Sequence, residues 1–131
     1  MIVDSSAVVA ILRQEADARA LFETIRKAPS VSMSTATFFE TAIVIDSSRD
    51  PAVSRELDDF CESIGLKFIP VDEKQMQVAR EAYRDFGKGS GHKAQLNFGD
   101  CFAYALAKAA GEPLLYKGRD FAHTDVASAL D

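Results

Sequence analysis

Four carboxylates occupy positions where solvation alone is a poor account of an acidic group. Asp4 follows the apolar run Met1-Ile2-Val3. Glu40 lies between Thr37-Phe38-Phe39 and Thr41-Ala42-Ile43, and Asp100 is flanked by Phe98, Gly99, Cys101 and Phe102. Asp120 comes shortly after Leu114-Leu115-Tyr116. A carboxylate embedded in apolar surroundings needs a partner or carries a desolvation cost. A hard divalent cation is one such partner, because Mg²⁺ and Mn²⁺ prefer oxygen ligands and need few of them from the protein. A metal held this way can activate water and neutralise a phosphate under attack. The chemistry implied is metal-assisted phosphodiester hydrolysis, which needs neither a histidine nor a cysteine nucleophile.

Each of these residues also has a local structural explanation. Asp4 can cap the amides of Ser6 or Ala7. Asp100 falls near the first turn of a helix, where the dipole favours negative charge. Glu40 can answer Thr37 as a capping glutamate, although Thr37 falls inside the expected helix rather than at its start. Asp120 can be an ordinary turn residue beside Gly118. Asp125 is a further acidic candidate, but Thr124-Asp125 can equally begin a short final helix. Lys93, Lys117 and Arg119 neighbour these segments and are candidate phosphate contacts; a solvated surface role fits each as well. His92 and His123 read as loop or surface histidines, with no spacing that suggests a shared site. Cys61 and Cys101 fall in apolar helical patterns and read as buried thiols. Neither forms a CxxC pair, so a zinc site is not expected.

The elements that must position these groups alternate short apolar runs with helical stretches. Met1-Ile2-Val3, Val31-Ser32-Met33, Leu66 to Val71 and Leu114-Leu115-Tyr116 read as strands. Helices are expected from Asp4 onward, around Ala18 to Ile25, from Ser34 or Thr35 to about Ser48, and from Pro51 to Ile64. Two more are expected from Asp72 to Phe86 and from Asn97 to Ala109. Gly65 and Gly111 are natural C-terminal stops. Residues 87–96 form a glycine-rich loop longer than the usual ~4–6 residue connection. The tail from Phe121 onward is weakly patterned. The expected fold is a three-layer α/β/α domain over residues 1–131, with a short-stranded, mainly parallel central sheet. In such sheets ligands sit beyond the carboxyl ends of the strands, where Asp4 and Asp120 fall.

Composition narrows the class. The chain has 131 residues, 47% apolar and 27% charged, which suits one globular unit with a real core. No stretch approaches the ~20 apolar residues of a membrane span. No basic segment leads into an apolar run at the N-terminus, so a cytoplasmic location is expected. The net charge of -5 argues against gripping nucleic acid by broad phosphate neutralisation. A nuclease of this composition must supply positive charge locally, through a metal ion and a few basic side chains, or through a basic partner.

The sequence also resembles the PIN-domain family, in particular the VapC toxins of bacterial toxin–antitoxin pairs. The resemblance is carried by Met1-Ile2-Val3-Asp4-Ser5-Ser6-Ala7, by Glu40, by Gly89-Ser90-Gly91-His92, and by Leu96-Asn97-Phe98-Gly99-Asp100-Cys101-Phe102-Ala103-Tyr104-Ala105-Leu106-Ala107. Leu114-Leu115-Tyr116-Lys117-Gly118-Arg119-Asp120-Phe121 and Thr124-Asp125 complete it. It implies that Asp4, Glu40, Asp100 and Asp120 line an acidic pocket for Mg²⁺ or Mn²⁺. Asp4 and Asp100 would be direct ligands, Glu40 would bind the metal through water or act in proton transfer, Asp120 would bind it through water, and Ser6 would be a supporting polar residue. It further implies endonucleolytic cleavage of RNA such as tRNA, rRNA or mRNA, a VapB-like antitoxin that blocks the site, and a homodimer. Arg119 stands where many relatives carry a smaller polar or acidic residue, so it would contact phosphate or partly neutralise the pocket.

Two other functions compete. A binding module could keep the acidic pocket and bind metal or RNA without cleaving. An aspartyl-phosphate phosphatase would use Asp4 as nucleophile, but such enzymes usually carry Asp-x-Asp where this chain has Asp4-Ser5-Ser6.

Overall fold

The computed structural model describes residues 1–131. Four short strands form one sheet: β1 (Ile2–Val3), β2 (Ser32–Ser34), β3 (Lys67–Ile69) and β4 (Leu114–Leu115). Their order is β3-β2-β1-β4 and every pairing is parallel. The helices are α1 (Ser5–Leu12), α2 (Ala18–Lys27), α3 (Thr35–Asp46), α4 (Pro51–Ser63), α5 (Glu73–Phe86) and α6 (Phe98–Ala110). The chain builds outward from β1 to β2 and β3, then returns to place β4 on the other side of β1. The gap between β1 and β4 is therefore where the strand order reverses, the place where open α/β sheets form their ligand crevice.

Strand alternation divides the core between the two faces of the sheet. Ile2 and Leu114 pack with α6, Ala82 of α5 and Phe121. Val3, Met33 and Leu115 pack with α1, α2 and the inward faces of α3 and α4. Both layers are thick enough to bury Cys61 and Cys101 as free thiols. No helix is long and apolar enough to cross a membrane.

The helix boundaries follow local chemistry. Asp4, Ser34, Asp50 and Asp72 each accept a hydrogen bond from a backbone amide in the first turn of the following helix. Asn97 and Asp100 form a reciprocal capping box that starts α6. Gly111 ends α6 in the left-handed region at φ 66°, which a side chain would resist. Several expected bounds are corrected: β2 covers Ser32–Ser34 rather than Val31–Met33, β3 only Lys67–Ile69 of the expected Leu66–Val71, and α3 ends at Asp46. The last strand stops at Leu115, leaving Tyr116 outside it. The tail carries a 3₁₀ turn at Phe121–His123. Thr124-Asp125 does not begin a helix; Asp125 instead accepts from the Tyr104 hydroxyl and from Lys108 Nζ, tying the C-terminal segment to α6.

Candidate active site

Asp4 emerges from the central strand β1 straight into the first turn of α1. The residue is only 2% exposed. Oδ2 accepts from the Ser6 backbone amide at 3.0 Å and from Ser6 Oγ at 2.6 Å. Oδ1 is buried with no partner at all. Burial pushes the Asp4 carboxyl above its ordinary range, and the negative charge of Glu40 adds to the push, against the lowering effect of the Ser6 hydrogen bonds.

Ser6 does more than hold Asp4. Its Oγ also accepts from the Lys117 backbone amide at 3.0 Å. Lys117 lies just beyond β4, so one hydroxyl ties the ends of the two strands that flank the crevice. This places the segment carrying Asp120 against the Asp4 side of the sheet.

Glu40 reaches the same region from α3. Its Oε1 accepts from Ser5 Oγ at 2.8 Å. The carboxylate lies directly over Gly99 of α6, where an added Cβ would overlap Oε2, Cδ and Oε1. Gly99 is thus the contact that lets α3 and α6 bring Glu40 and Asp100 together. Neither Ser5 nor Gly99 stands out by spacing in the sequence, because each is defined by a contact with a distant helix. The only sequence signal is a glycine inside the helical pattern beside Asp100, a substitution that costs helix stability and so asks for a packing reason.

Asp100 is half-buried in the first turn of α6, with Oδ2 accepting from the Asn97 amide at 3.0 Å. Its carboxyl is pushed up to about 6. Burial is the largest cause, offset in part by the Asn97 hydrogen bond, and the charges of Asp4, Asp120 and Glu40 each push it further. All three other carboxylates therefore act electrostatically on Asp100. Asp120 is exposed at the start of the 3₁₀ turn and makes no side-chain cap there.

The basic candidates separate. Lys117 Nζ pairs with Glu15 Oε1 at 2.5 Å and Asp17 Oδ1 at 3.4 Å, so its ammonium is engaged inside the chain. It serves the crevice through its backbone amide instead. Arg119 and Lys93 are exposed and make no ion pair. His92 is a structural loop residue: its Nδ1 accepts from the Ala94 amide and its ring meets Phe86 edge-on.

The donor set suits a hard cation. It consists of carboxylate oxygens, and a buried one on Asp4 lacks any partner within the protein. No three acidic, histidine or cysteine side chains form a ready-made metal cluster. One or two carboxylates completed by water is the habit of Mg²⁺ rather than of a metal caged wholly by protein.

An acidic crevice at the switch point of a short parallel sheet defines a class, and sequence comparison agrees with it. The PIN domain family model matches residues 1–127, and the chain belongs to the PIN-domain family. Within that family the chain is similar to proteins named as VapC ribonucleases. It is 53% identical over 131 residues to the VapC ribonuclease Mb0625 of Mycobacterium bovis, covering 100% of this chain and 98% of that protein. It is 49% identical over 128 residues to the Ribonuclease VapC of Mycolicibacterium smegmatis, covering 98% of each. Among solved structures, the VapC20 toxin of Mycobacterium tuberculosis, described as cleaving the sarcin-ricin loop, superposes with a TM-score of 0.73 at 14% identity. That match covers 96% of this chain and 95% of the other. A toxin-antitoxin complex from Klebsiella pneumoniae gives 0.68 at 14% identity, covering 92% and 89%. The two structural matches support the fold.

Proposed function

We propose that this chain is a metal-dependent endoribonuclease, the toxin of a VapC-type toxin–antitoxin pair. The observation that carries the reading is the buried Oδ1 of Asp4, which has no partner within the protein. Ser6 fixes the other oxygen of that carboxylate, and Glu40, held by Ser5 and packed over Gly99 beside Asp100, reaches the same region from α3. An unpartnered buried carboxylate oxygen is a standing electrostatic cost, and such costs concentrate at functional sites. The names of the relatives support RNA as substrate, and the toxin-antitoxin complex among the fold matches supports a protein antitoxin as partner.

Asp4 and Asp100 would hold Mg²⁺ or Mn²⁺, Asp4 through its free Oδ1. When bound, the ion supplies Lewis-acid activation of water and charge neutralisation at the phosphate. Ser6 fixes the Asp4 carboxylate by two hydrogen bonds and so pre-orients the free oxygen. Ser5 holds Oε1 of Glu40, leaving Oε2 to take the proton of an attacking water. Asp120, exposed at the rim, would orient water there, and Arg119 and Lys93 would meet the phosphate backbone. The partner would be a VapB-like antitoxin that offers positive charge to the crevice and blocks it. A homodimer acting in the cytoplasm completes the proposal.

The test is cleavage of a single-stranded RNA pool by the purified chain with Mg²⁺, with Mn²⁺ and with EDTA. Asp4→Asn and Asp100→Asn are expected to lose cleavage by at least about a hundredfold, in line with the weight of a metal-held water in hydrolysis. Undiminished cleavage by both variants would overturn the assignment.

A further inference from the structure

Lys117 is the only side chain of the fold that pairs with two carboxylates. Its Nζ lies 2.5 Å from Glu15 Oε1 and 3.4 Å from Asp17 Oδ1. Both acids come from the turn between α1 and α2, at the far end of the chain. Asp17 stands at the N-cap position of α2, yet its side chain caps no amide there. Its Oδ1 is shut off from water and makes no hydrogen bond, so the ammonium is the charge that answers it. The turn is shaped to present these acids. Gln14 takes the left-handed region at φ 53°, which residues with a side chain rarely adopt. The Glu15 amide then donates back to Ala10 O, and the Ala18 amide to Glu15 O. The three paired side chains are each more than a third exposed, and exposed ion pairs add little to stability. Stability alone is a weak reason for a turn that gathers two acids on one lysine.

The other end of Lys117 supplies a reason. Its backbone amide donates to Ser6 Oγ at 3.0 Å, and Ser6 Oγ in turn donates to Asp4 Oδ2 at 2.6 Å. A serine hydroxyl has one hydrogen to give and two lone pairs that can receive. With a lone pair taken by the Lys117 amide, the hydrogen is directed to Asp4, and each bond in such a chain polarises the next. Lys117 is therefore gripped at both ends: by Ser6 in the first turn of α1, and by Glu15 and Asp17 beyond its last.

From this chain of contacts we infer that Glu15 and Asp17 are positioning residues of the carboxylate crevice. By fixing the Lys117 side chain they hold its backbone amide on Ser6 Oγ, so that Ser6 keeps its hydrogen on Asp4 Oδ2 and leaves Oδ1 free for a cation. The inference rests on the metal-dependent ribonuclease reading above and adds two residues that touch neither metal nor RNA. Partners that orient a metal-binding side chain from the next layer out carry about 10- to 100-fold in affinity or activity. Glu15 and Asp17 act further out still, through Lys117 and Ser6, so the low end of that range is expected. A direct phosphate contact by Lys117 predicts a different sign for the acids. Removing Glu15 and Asp17 would then free a cation for RNA, whereas in a positioning role the loss of either side of the pair is harmful.

Amide hydrogen exchange of the full chain, followed by NMR in EDTA, tests the geometry without metal or RNA. The variants are Lys117→Met, which keeps the backbone amide, and Glu15→Ala/Asp17→Ala. In both, the amide at position 117 is expected to lose protection at least about tenfold. The Asp4 amide, which donates to Leu115 O, is the reference and is expected to stay protected. Calorimetry with Mg²⁺ is expected to give affinity about tenfold weaker in both variants, and RNA cleavage a lower kcat with KM little changed. Lys117→Arg and Glu15→Gln keep a donor and an acceptor across the pair and are expected to stay near wild type in every readout. Unchanged protection at position 117 in both folded variants overturns the inference, even if Asp4→Asn abolishes cleavage. Equal loss of protection at Asp4 overturns it in favour of a general support of the fold. A KM that rises in Lys117→Met and falls in the double acid variant overturns it in favour of a direct phosphate contact. If wild type binds no Mg²⁺ or cuts no RNA, the nuclease reading falls, and the amide at position 117 alone decides whether the acids hold Lys117 on Ser6.

Discussion

Gly99 of α6 lies against the carboxylate of Glu40 of α3, so closely that a methyl group there would overlap both carboxylate oxygens. Gly99 is the second residue of α6, in its first turn, where glycine is a poorer helix former than alanine, with a cost below the roughly 1 kcal/mol of a helix interior. Here the cost coincides with the one place where two acidic residues from different helices must approach. The missing side chain is thus a device for placing Glu40 beside Asp100.

Gly99→Ala separates stability from activity. The overlapping atoms belong to the flexible end of Glu40, which can swing away, and alanine favours the helix. The variant is expected to melt within a few degrees of wild type, a net change within about 1 kcal/mol. RNA cleavage is expected to fall at least about tenfold, because Glu40 no longer reaches its position. Melting by circular dichroism and initial cleavage rates check both halves. A variant as active as wild type would remove any role for the Gly99–Glu40 contact.

The caps at Ser34, Asp72 and Asn97 are legible in the sequence because donor and acceptor lie within three residues. Strand positions and the parallel sheet follow from apolar runs separated by helices. Gly99 is not legible, since the reason for it is a side chain on α3. Lys117 looks like a phosphate ligand beside Asp120, but Glu15 and Asp17 reach it from the far end of the chain. Asp125 resembles a helix start because its real partners, Tyr104 and Lys108, lie 21 and 17 residues away. Local hydrogen bonds leave a pattern in sequence; long-range ones leave only a residue type.

Asp4→Asn is expected to stabilise the metal-free chain while abolishing cleavage. A buried carboxylate with one unpartnered oxygen carries a desolvation cost that a neutral amide avoids. The Asn carbonyl can still accept from Ser6. A gain on the order of 1 kcal/mol is expected, typical where a functional residue is traded for stability. Mg²⁺ is expected to raise the melting temperature of wild type, since it binds only the folded chain, and to leave the variant unmoved. Thermal melts with EDTA and with Mg²⁺ read both effects, and a variant less stable than wild type in EDTA would contradict this account of Asp4.

Tyr104→Phe tests whether Asp125 is an anchor of the tail. The Tyr104 hydroxyl and Lys108 both donate to Asp125, and they hold its carboxyl below its ordinary value. A depressed carboxyl adds stability above the unfolded value of 3.8 and loses it as pH falls through the folded value. Removing the hydroxyl is expected to lower stability near neutral pH by about 1 kcal/mol, with the deficit shrinking in acid, and to leave RNA cleavage unchanged. Urea unfolding at neutral and acid pH measures the first and a cleavage assay the second. Loss of cleavage in a folded Tyr104→Phe chain would move Asp125 into the active site.

Asp100 has the opposite sign. Its carboxyl titrates near 3.8 when unfolded and at about 6 when folded. Between those values the folded chain keeps a proton that the unfolded chain has released, so Asp100 weakens the fold as pH rises through this window and costs a constant amount above it. Asn at this position stays neutral throughout and can still accept from the Asn97 amide. In EDTA, the melting temperature of Asp100→Asn is therefore expected to pull ahead of wild type as pH climbs from about 4 to about 6, and to keep a level lead beyond. Metal binding reverses the balance by giving the ionised form a partner. Mg²⁺ affinity, followed by calorimetry, is expected to weaken as pH drops below about 6 in wild type, where a proton competes for the carboxylate. A melting-temperature gap that stays constant across the window, with Mg²⁺ affinity equally flat, would show that neither burial nor the charges of Asp4, Glu40 and Asp120 raise the Asp100 carboxyl in solution.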